Sequence, residues 1–307
     1  MDRASAKIIL FGEHAVVHGR TAVAAAIDRG ATASATPSAE PSRLTIRPWG
    51  TEVFAGGAED LARAFQAVLE ASGATELPAL HVYVDVGVPA GAGLGCSAAI
   101  GVAVARAIAS ARGETIDASV AAARATPWEK VFHGNPSGVD VAVAARGGIV
   151  RFRRGEPPRP VHPAAPMEVA VCWTGESAST RSMVEQVARQ LSRRPQVVER
   201  TFDGIEALAL KGIAAIEAAR WYEVGHLMDL NHALLTTLML STETLERACA
   251  IARDAGALGA KLTGGGGGGC AIALAPGKSA EVVAAWERAG LSGFVAEVAP
   301  IVTEGAR

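Results

Sequence analysis

Three glycines at alternate positions, Gly91, Gly93 and Gly95, lie in the decapeptide Pro89-Ala-Gly-Ala-Gly-Leu-Gly-Cys-Ser-Ala98, between a strand-like and a helix-like run. Upstream, His81-Val-Tyr-Val-Asp-Val86 places its valines at every second position and turns one face toward a core. Downstream, the small residues from Ser97 to Ala109 read as a helix. A chain that passes from strand to helix through residues without Cβ can aim several backbone N–H groups at one point. The helix adds its own unpaired N-terminal donors and dipole, so a phosphate is the natural guest. An ordinary strand-to-helix turn is the alternative for such a loop alone. The Walker A pattern fails, because the loop has no lysine, and the dinucleotide fingerprint fails at Cys96, where it requires glycine.

The rest of the chain sets the frame for that loop. With 307 residues, two domains are the starting expectation. A formal charge of -2 with scattered Lys and Arg argues against nucleic acid as a partner. Cys96, Cys172, Cys249 and Cys270 lie far apart, which fits neither a disulfide framework nor a zinc knuckle. No apolar stretch approaches the roughly 20 residues a membrane helix needs, and Glu13 and His14 soon cut the first apolar run. A cytoplasmic protein with no membrane partner is expected; its oligomeric state, homodimer included, is open at this point.

Strands are expected at Lys7 to Phe11, Thr21 to Asp28, Ala31 to Pro37 and Arg43 to Arg47, then a helix from Glu59 to Ala71. Helices follow around Ala118 to Arg124 and Pro127 to His133. The tract Arg153 to Pro166 holds Pro157, Pro158, Pro160, Pro163 and Pro166, a density that should stop helix and sheet alike. It marks the expected boundary between a first domain over 1–160 and a second over 161–307. Beyond it come a strand at Glu168 to Trp173, helices from about Thr180 to Ala255, and strands Ala260 to Thr263 and Cys270 to Ala275 around a second glycine run. Strands, then helices, then strands indicate an α+β fold.

The loop from Pro89 to Ala98 resembles the phosphate loop of the GHMP kinases, the superfamily of galactokinase, homoserine kinase, mevalonate kinase and phosphomevalonate kinase. Cys96 stands where the first serine is usual, and Ser97 keeps the second. Lys7-Ile-Ile-Leu-Phe-Gly-Glu-His-Ala-Val-Val-His-Gly19 is similar to the N-terminal motif of mevalonate kinases. Lys261-Leu-Thr-Gly-Gly-Gly-Gly-Gly-Gly-Cys270 is similar to the superfamily's C-terminal glycine motif, with Gly266 taken as the position where alanine is commoner. A third segment, Glu129-Lys-Val-Phe-His-Gly-Asn-Pro-Ser-Gly-Val-Asp140, carries two carboxylates.

The resemblance implies a two-domain α+β fold, an N-terminal domain like ribosomal protein S5 domain 2 and a ferredoxin-like C-terminal domain. It implies ATP along Pro89, Ala90, Gly91, Ala92, Gly93, Leu94, Gly95, Cys96, Ser97 and Ala98, Mg²⁺ on Ser97 and Glu129, and phosphorylation of an alcohol, mevalonate before its relatives. Mg²⁺ takes few protein oxygens, so those two would suffice. Asp140 would then be the base and Lys7 the charge facing the reacting phosphate. Glu13, His14 and Thr180 would lie at the substrate, with the glycine loop Gly264, Gly265, Gly266 and Gly267 beside them. The competing readings are a phosphomevalonate or homoserine kinase, a catalytically silent ATP-binding relative and, distantly, a nicotinamide-dependent oxidoreductase. His14 and His18, four apart, could chelate zinc on a helix, but Glu13 precedes both and Gly12 and Gly19 bracket the pair.

Overall fold

A computed structural model of the chain describes residues 1–301 apart from 76, 77, 135, 177 and 178. It opens with β1 (Asp2–Phe11), β2 (Ala22–Pro37), β3 (Arg43–Ile46), β4 (Thr51–Phe54), α1 (Asp60–Ala71), β5 (Leu80–Val86), α2 (Cys96–Ala111), α3 (Ala118–His133), α4 (Val139–Arg146), β6 (Ile149–Phe152) and β7 (Arg159–Val161). The chain continues with β8 (Glu168–Trp173), α5 (Thr180–Arg193), α6 (Pro195–Glu217), α7 (Trp221–Thr237), α8 (Glu243–Asp254), β9 (Gly259–Thr263), β10 (Cys270–Leu274), α9 (Ser279–Arg288) and β11 (Ser292–Glu297).

The first seven strands form one mixed sheet in the order β4-β3-β5-β2-β6-β7, with β1 against β2; the last four form an antiparallel sheet in the order β11-β8-β10-β9. The long strand β2 organises the first sheet. One end pairs with β5, the other with β6, and β1 runs antiparallel along its middle. Two separate strands were expected here. Gly30 lets the chain run through, since a Cβ there would lie 2.1 Å from Ala4 O, so only glycine lets β1 pass so close.

Two other expectations change for reasons of context. Helix α3 continues through Pro127 rather than breaking there, and buries Trp128 and Glu129 in its second half. The proline tract does contain a strand: β7 carries Pro160 opposite Val150 at the outer edge of the sheet, where a missing N–H costs no ladder partner.

Helix α2 packs on β1, β2 and β5 and is buried along almost its whole length, which explains its run of alanine and valine. Both halves of the chain contribute to one continuous core: Phe11 packs into a notch at Gly212 of α6, where a Cβ would stand 2.5 Å from the ring. No described helix is long and apolar enough to cross a membrane.

Candidate active site

Strand β5 delivers the chain into the first glycine loop, and Gly91, Gly93 and Gly95 all take left-handed backbone, with φ of 70°, 78° and 68°. That conformation is why glycine recurs at alternate positions, since L side chains pay to adopt it. Gly95 caps α2 and leaves room for Lys7, whose Cγ would lie 2.8 Å from a Cβ at that position. Lys7 N donates to Leu94 O at 2.8 Å, and Lys7 Nζ donates to Gly93 O at 3.1 Å. The amine is also 3.4 Å from Asp140 Oδ1, in the first turn of α4. Gly138, not Asp140, is the cap of that helix, so the Asp140 carboxylate is not spent on the helix end.

Ser97 and Glu129 meet across α2 and α3. Ser97 Oγ donates to Glu129 Oε1 at 2.5 Å, and Trp128 Nε1 donates to Ser97 Oγ at 3.0 Å. Burial, reinforced by the nearby Asp140 charge, pushes the Glu129 carboxyl up to about 7, against smaller opposing effects from Ser97 and Lys7. A hydroxyl and a carboxylate oxygen held together are the kind of oxygen donors a hard divalent cation takes. His133 Nε2 lies 3.6 Å from the other Glu129 oxygen. Cys96 is buried in the core and its thiol is pushed up to about 12 by desolvation, then by Glu129, so it is a neutral packing group.

The second glycine loop lies against the first. A Cβ at Gly264 would stand 2.9 Å from Gly93 O, and one at Gly265 would stand 3.4 Å from Thr180 Oγ1, at the start of α5. Thr180 therefore reaches the loop, while the helix cap is Ser179, whose hydroxyl accepts from Ser182 N at 3.3 Å. Gly266 cannot be the alanine position. Its φ is 73° and a Cβ would meet Leu240 O at 2.4 Å, whereas Gly265 has ordinary room, so alanine fits at Gly265.

Glu13 and His14 are placed behind the site's open face. Glu13 is fully buried; one carboxylate oxygen accepts from Lys261 Nζ and the other from Asn231 Nδ2 at 3.1 Å. With both oxygens taken inside the protein, Glu13 supports the site and does not face a substrate. His14 donates Nε2–H to Gly265 O at 2.8 Å, and desolvation lowers its pKa to about 4, so the ring is neutral. It sits at φ 58°, a left-handed conformation for a non-glycine residue. His18 stacks on Phe202 at 4.6 Å, so the two histidines turn to different partners and form no chelating pair.

Sequence reasoning missed Asn231 and Trp128, and it quoted Lys261 and Thr263 within the second glycine motif without giving either a role. Thr263 Oγ1 accepts from Ile9 N at 2.8 Å and donates to Ile9 O at 3.2 Å. Lys261 had two available signals, its place at the head of that motif and a lone charge in a short run of apolar and small residues. Asn231 had none, because only the packing of α7 gives it a partner.

These contacts join a strand lysine, an acid on a helix and two touching glycine loops. Residues 59–148 match the family model for the GHMP kinases N terminal domain, and residues 213–291 the model for GHMP kinases C terminal. The chain belongs to the GHMP kinase family. Its curated relatives in the family include the mevalonate kinase of Aeropyrum pernix, 35% identical over 99% of this chain and 97% of the relative. That of Pyrococcus abyssi is 34% identical over 94% and 92%. A solved L. major mevalonate kinase in complex with R-mevalonate superposes with a TM-score of 0.86 at 27% identity, covering 97% of this chain and 95% of that one.

Proposed function

We propose that the chain is a mevalonate kinase, transferring the γ-phosphoryl group of ATP to the primary hydroxyl of mevalonate in isoprenoid biosynthesis. The observation that carries the chemistry is the Lys7–Asp140 pair, 3.4 Å apart, against the glycine loop that precedes α2. The substrate follows from relatives that are mevalonate kinases over nearly the whole chain.

In this reading the ATP phosphates lie along residues 89–98, on N–H groups freed by the left-handed glycines and the start of α2. Asp140, whose side chain is 30% exposed, accepts the hydroxyl proton as the alcohol oxygen attacks the γ-phosphorus and ADP departs. Lys7 offsets the charge that spreads over the transferring oxygens. Ser97 and Glu129 would hold Mg²⁺, which neutralises phosphate charge when bound. Thr180 stands beside the second glycine loop at the alcohol's side of the site. The nucleotide half is taken as 1–160 and the remainder as 161–307, a boundary that falls inside β7, whose Val161 still pairs with Ile149 of the first sheet.

The test is ADP release from Mg²⁺-ATP with mevalonate, phosphomevalonate, homoserine and galactose, with Asp140→Asn beside the wild type. Turnover on mevalonate, lowered by about 10²–10⁴-fold in the variant, is expected. Turnover on another alcohol would move the substrate, and near-normal turnover of the variant would remove Asp140 from the mechanism. Nucleotide binding without any turnover would favour the silent relative.

A further inference from the structure

The most completely enclosed ion pair among the described residues lies behind the site. Lys261 and Glu13 have no exposed side-chain surface. Lys261 Nζ donates to Glu13 Oε1, to Ile9 O at 3.3 Å and to Leu262 O at 2.6 Å, which uses all three ammonium donors. Asn231 Nδ2 holds the second Glu13 oxygen. Taking two charges wholly out of water costs about as much as their attraction returns, and apolar side chains of similar volume often stabilise a core at least as well. Such a network contributes little net stability. It does impose fixed distances between the points it joins.

Those points belong to the two sides of the site. Ile9 follows Lys7 by two residues, and Glu13 precedes His14, whose ring is bonded to Gly265 O. Lys261 stands on β9, three residues before the second glycine loop begins. We propose that Lys261 is a positioning residue for phosphoryl transfer. Through Ile9 and Glu13 it clamps both ends of the segment carrying Lys7 and His14 onto β9. It thereby fixes the separation between the Lys7–Asp140 side of the site and the glycine loop at 264–269. The inference rests on the kinase reading above and adds to it a residue that touches neither substrate nor nucleotide. Proximity explains why such a residue matters: a displacement of about 1 Å between reacting groups can cost on the order of 10²-fold in rate.

The experiment replaces the whole network, so that no buried charge is stranded: the triple variant Glu13→Leu, Lys261→Met, Asn231→Leu. A melting temperature equal to or above that of the wild type is expected, with kcat lowered by about 10²-fold and the KM for ATP within a few-fold. A folded triple variant with kcat near the wild-type value overturns the inference, as does a loss confined to the KM for ATP. Should the triple variant not fold, Asn231→Leu alone decides, because it removes one bond to Glu13 and keeps the volume. Reduced kcat at unchanged nucleotide affinity supports the clamp, and unchanged kcat rejects it. The wild type is assayed on the same alcohol panel. Absence of wild-type turnover on every alcohol sinks the kinase reading and the clamp together; wild-type turnover matched by the variant sinks the clamp alone.

Discussion

The site contains two lysine–carboxylate pairs of opposite character. Lys7 and Asp140 stand 3.4 Å apart, with Asp140 30% exposed and Lys7 also bonded to a loop carbonyl. Lys261 and Glu13 are in direct hydrogen-bonded contact and wholly enclosed, with every donor and both acceptors taken. A pair that meets a reacting group must keep lone pairs and water access in reserve, because its charge has to be used during the reaction. A pair that holds a frame together must not. Residue type cannot tell the two apart, since each is a lysine on a strand and a carboxylate on another segment; burial and the count of satisfied partners can.

The sharpest way to break that distinction is to remove Lys7. Lys7→Met leaves Asp140, 30% exposed, in contact with water, so no buried charge is stranded; Lys7 itself is buried and bonded to Gly93 O, so losing that bond should cost about 1–3 kcal/mol. Loss of a charge aimed at the transferring phosphoryl should lower kcat by about 10²–10³-fold. Steady-state kinetics and a denaturant melt on the same preparation test both halves. A variant whose stability falls steeply while its turnover survives would show that Lys7 belongs with the enclosed pair.

Much of the open half was legible in the sequence. The alternating glycines announced a phosphate-sized loop between a strand and a helix, and Lys7, Ser97, Glu129 and Asp140 lie together as that half of the site. The enclosed half was not legible, because its residues gain meaning only from distant partners. Asn231 is 218 residues from Glu13 along the chain, and Lys261 is 248. Glu13 and His14 stood out as a motif, yet their side chains turn inward, a direction that spacing cannot show. The same limit applies to the fold. Proline rules are local, whereas β7 survives because it is an edge and α3 because Trp128 and Glu129 pack beyond Pro127.

His14 offers a smaller effect on the enclosed side. Its ring is buried and its pKa is lowered to about 4, chiefly by desolvation and against the raising effect of Gly265 O. The unfolded chain binds a proton on this ring from pH 6.5 downward, while the folded chain resists until about pH 4. In that window the unfolded state holds more protons, so stability contributed by His14 is present above pH 6.5 and is lost as pH falls toward 4. The full swing is about 3 kcal/mol. His14→Gln should flatten this part of the stability–pH curve, measured by denaturant melts between pH 7 and pH 4.5. An unaltered slope would mean that the ring is solvated and that the enclosed side is less sealed than its contacts imply.

The glycine loop itself gives the finest resolution of the difference, because adjacent positions should respond unequally. Gly266→Ala forces a side chain into left-handed backbone, which costs roughly 1–2 kcal/mol, and drives its Cβ onto the Leu240 carbonyl at 2.4 Å. That carbonyl also accepts from Gly267 N at 2.7 Å, so it cannot retreat without losing a bond. A loss of about 2 kcal/mol or more is expected in a denaturant melt. Gly265→Ala meets only ordinary contact with Thr180, 3.4 Å from its hydroxyl, and needs no left-handed backbone. Restricting the unfolded chain there should leave stability unchanged or raised by up to about 1 kcal/mol. Equal losses at the two positions would show that the loop is held rigid along its whole length. An unequal pair would place the rigid part at Leu240 and leave the stretch facing Thr180 free to adjust.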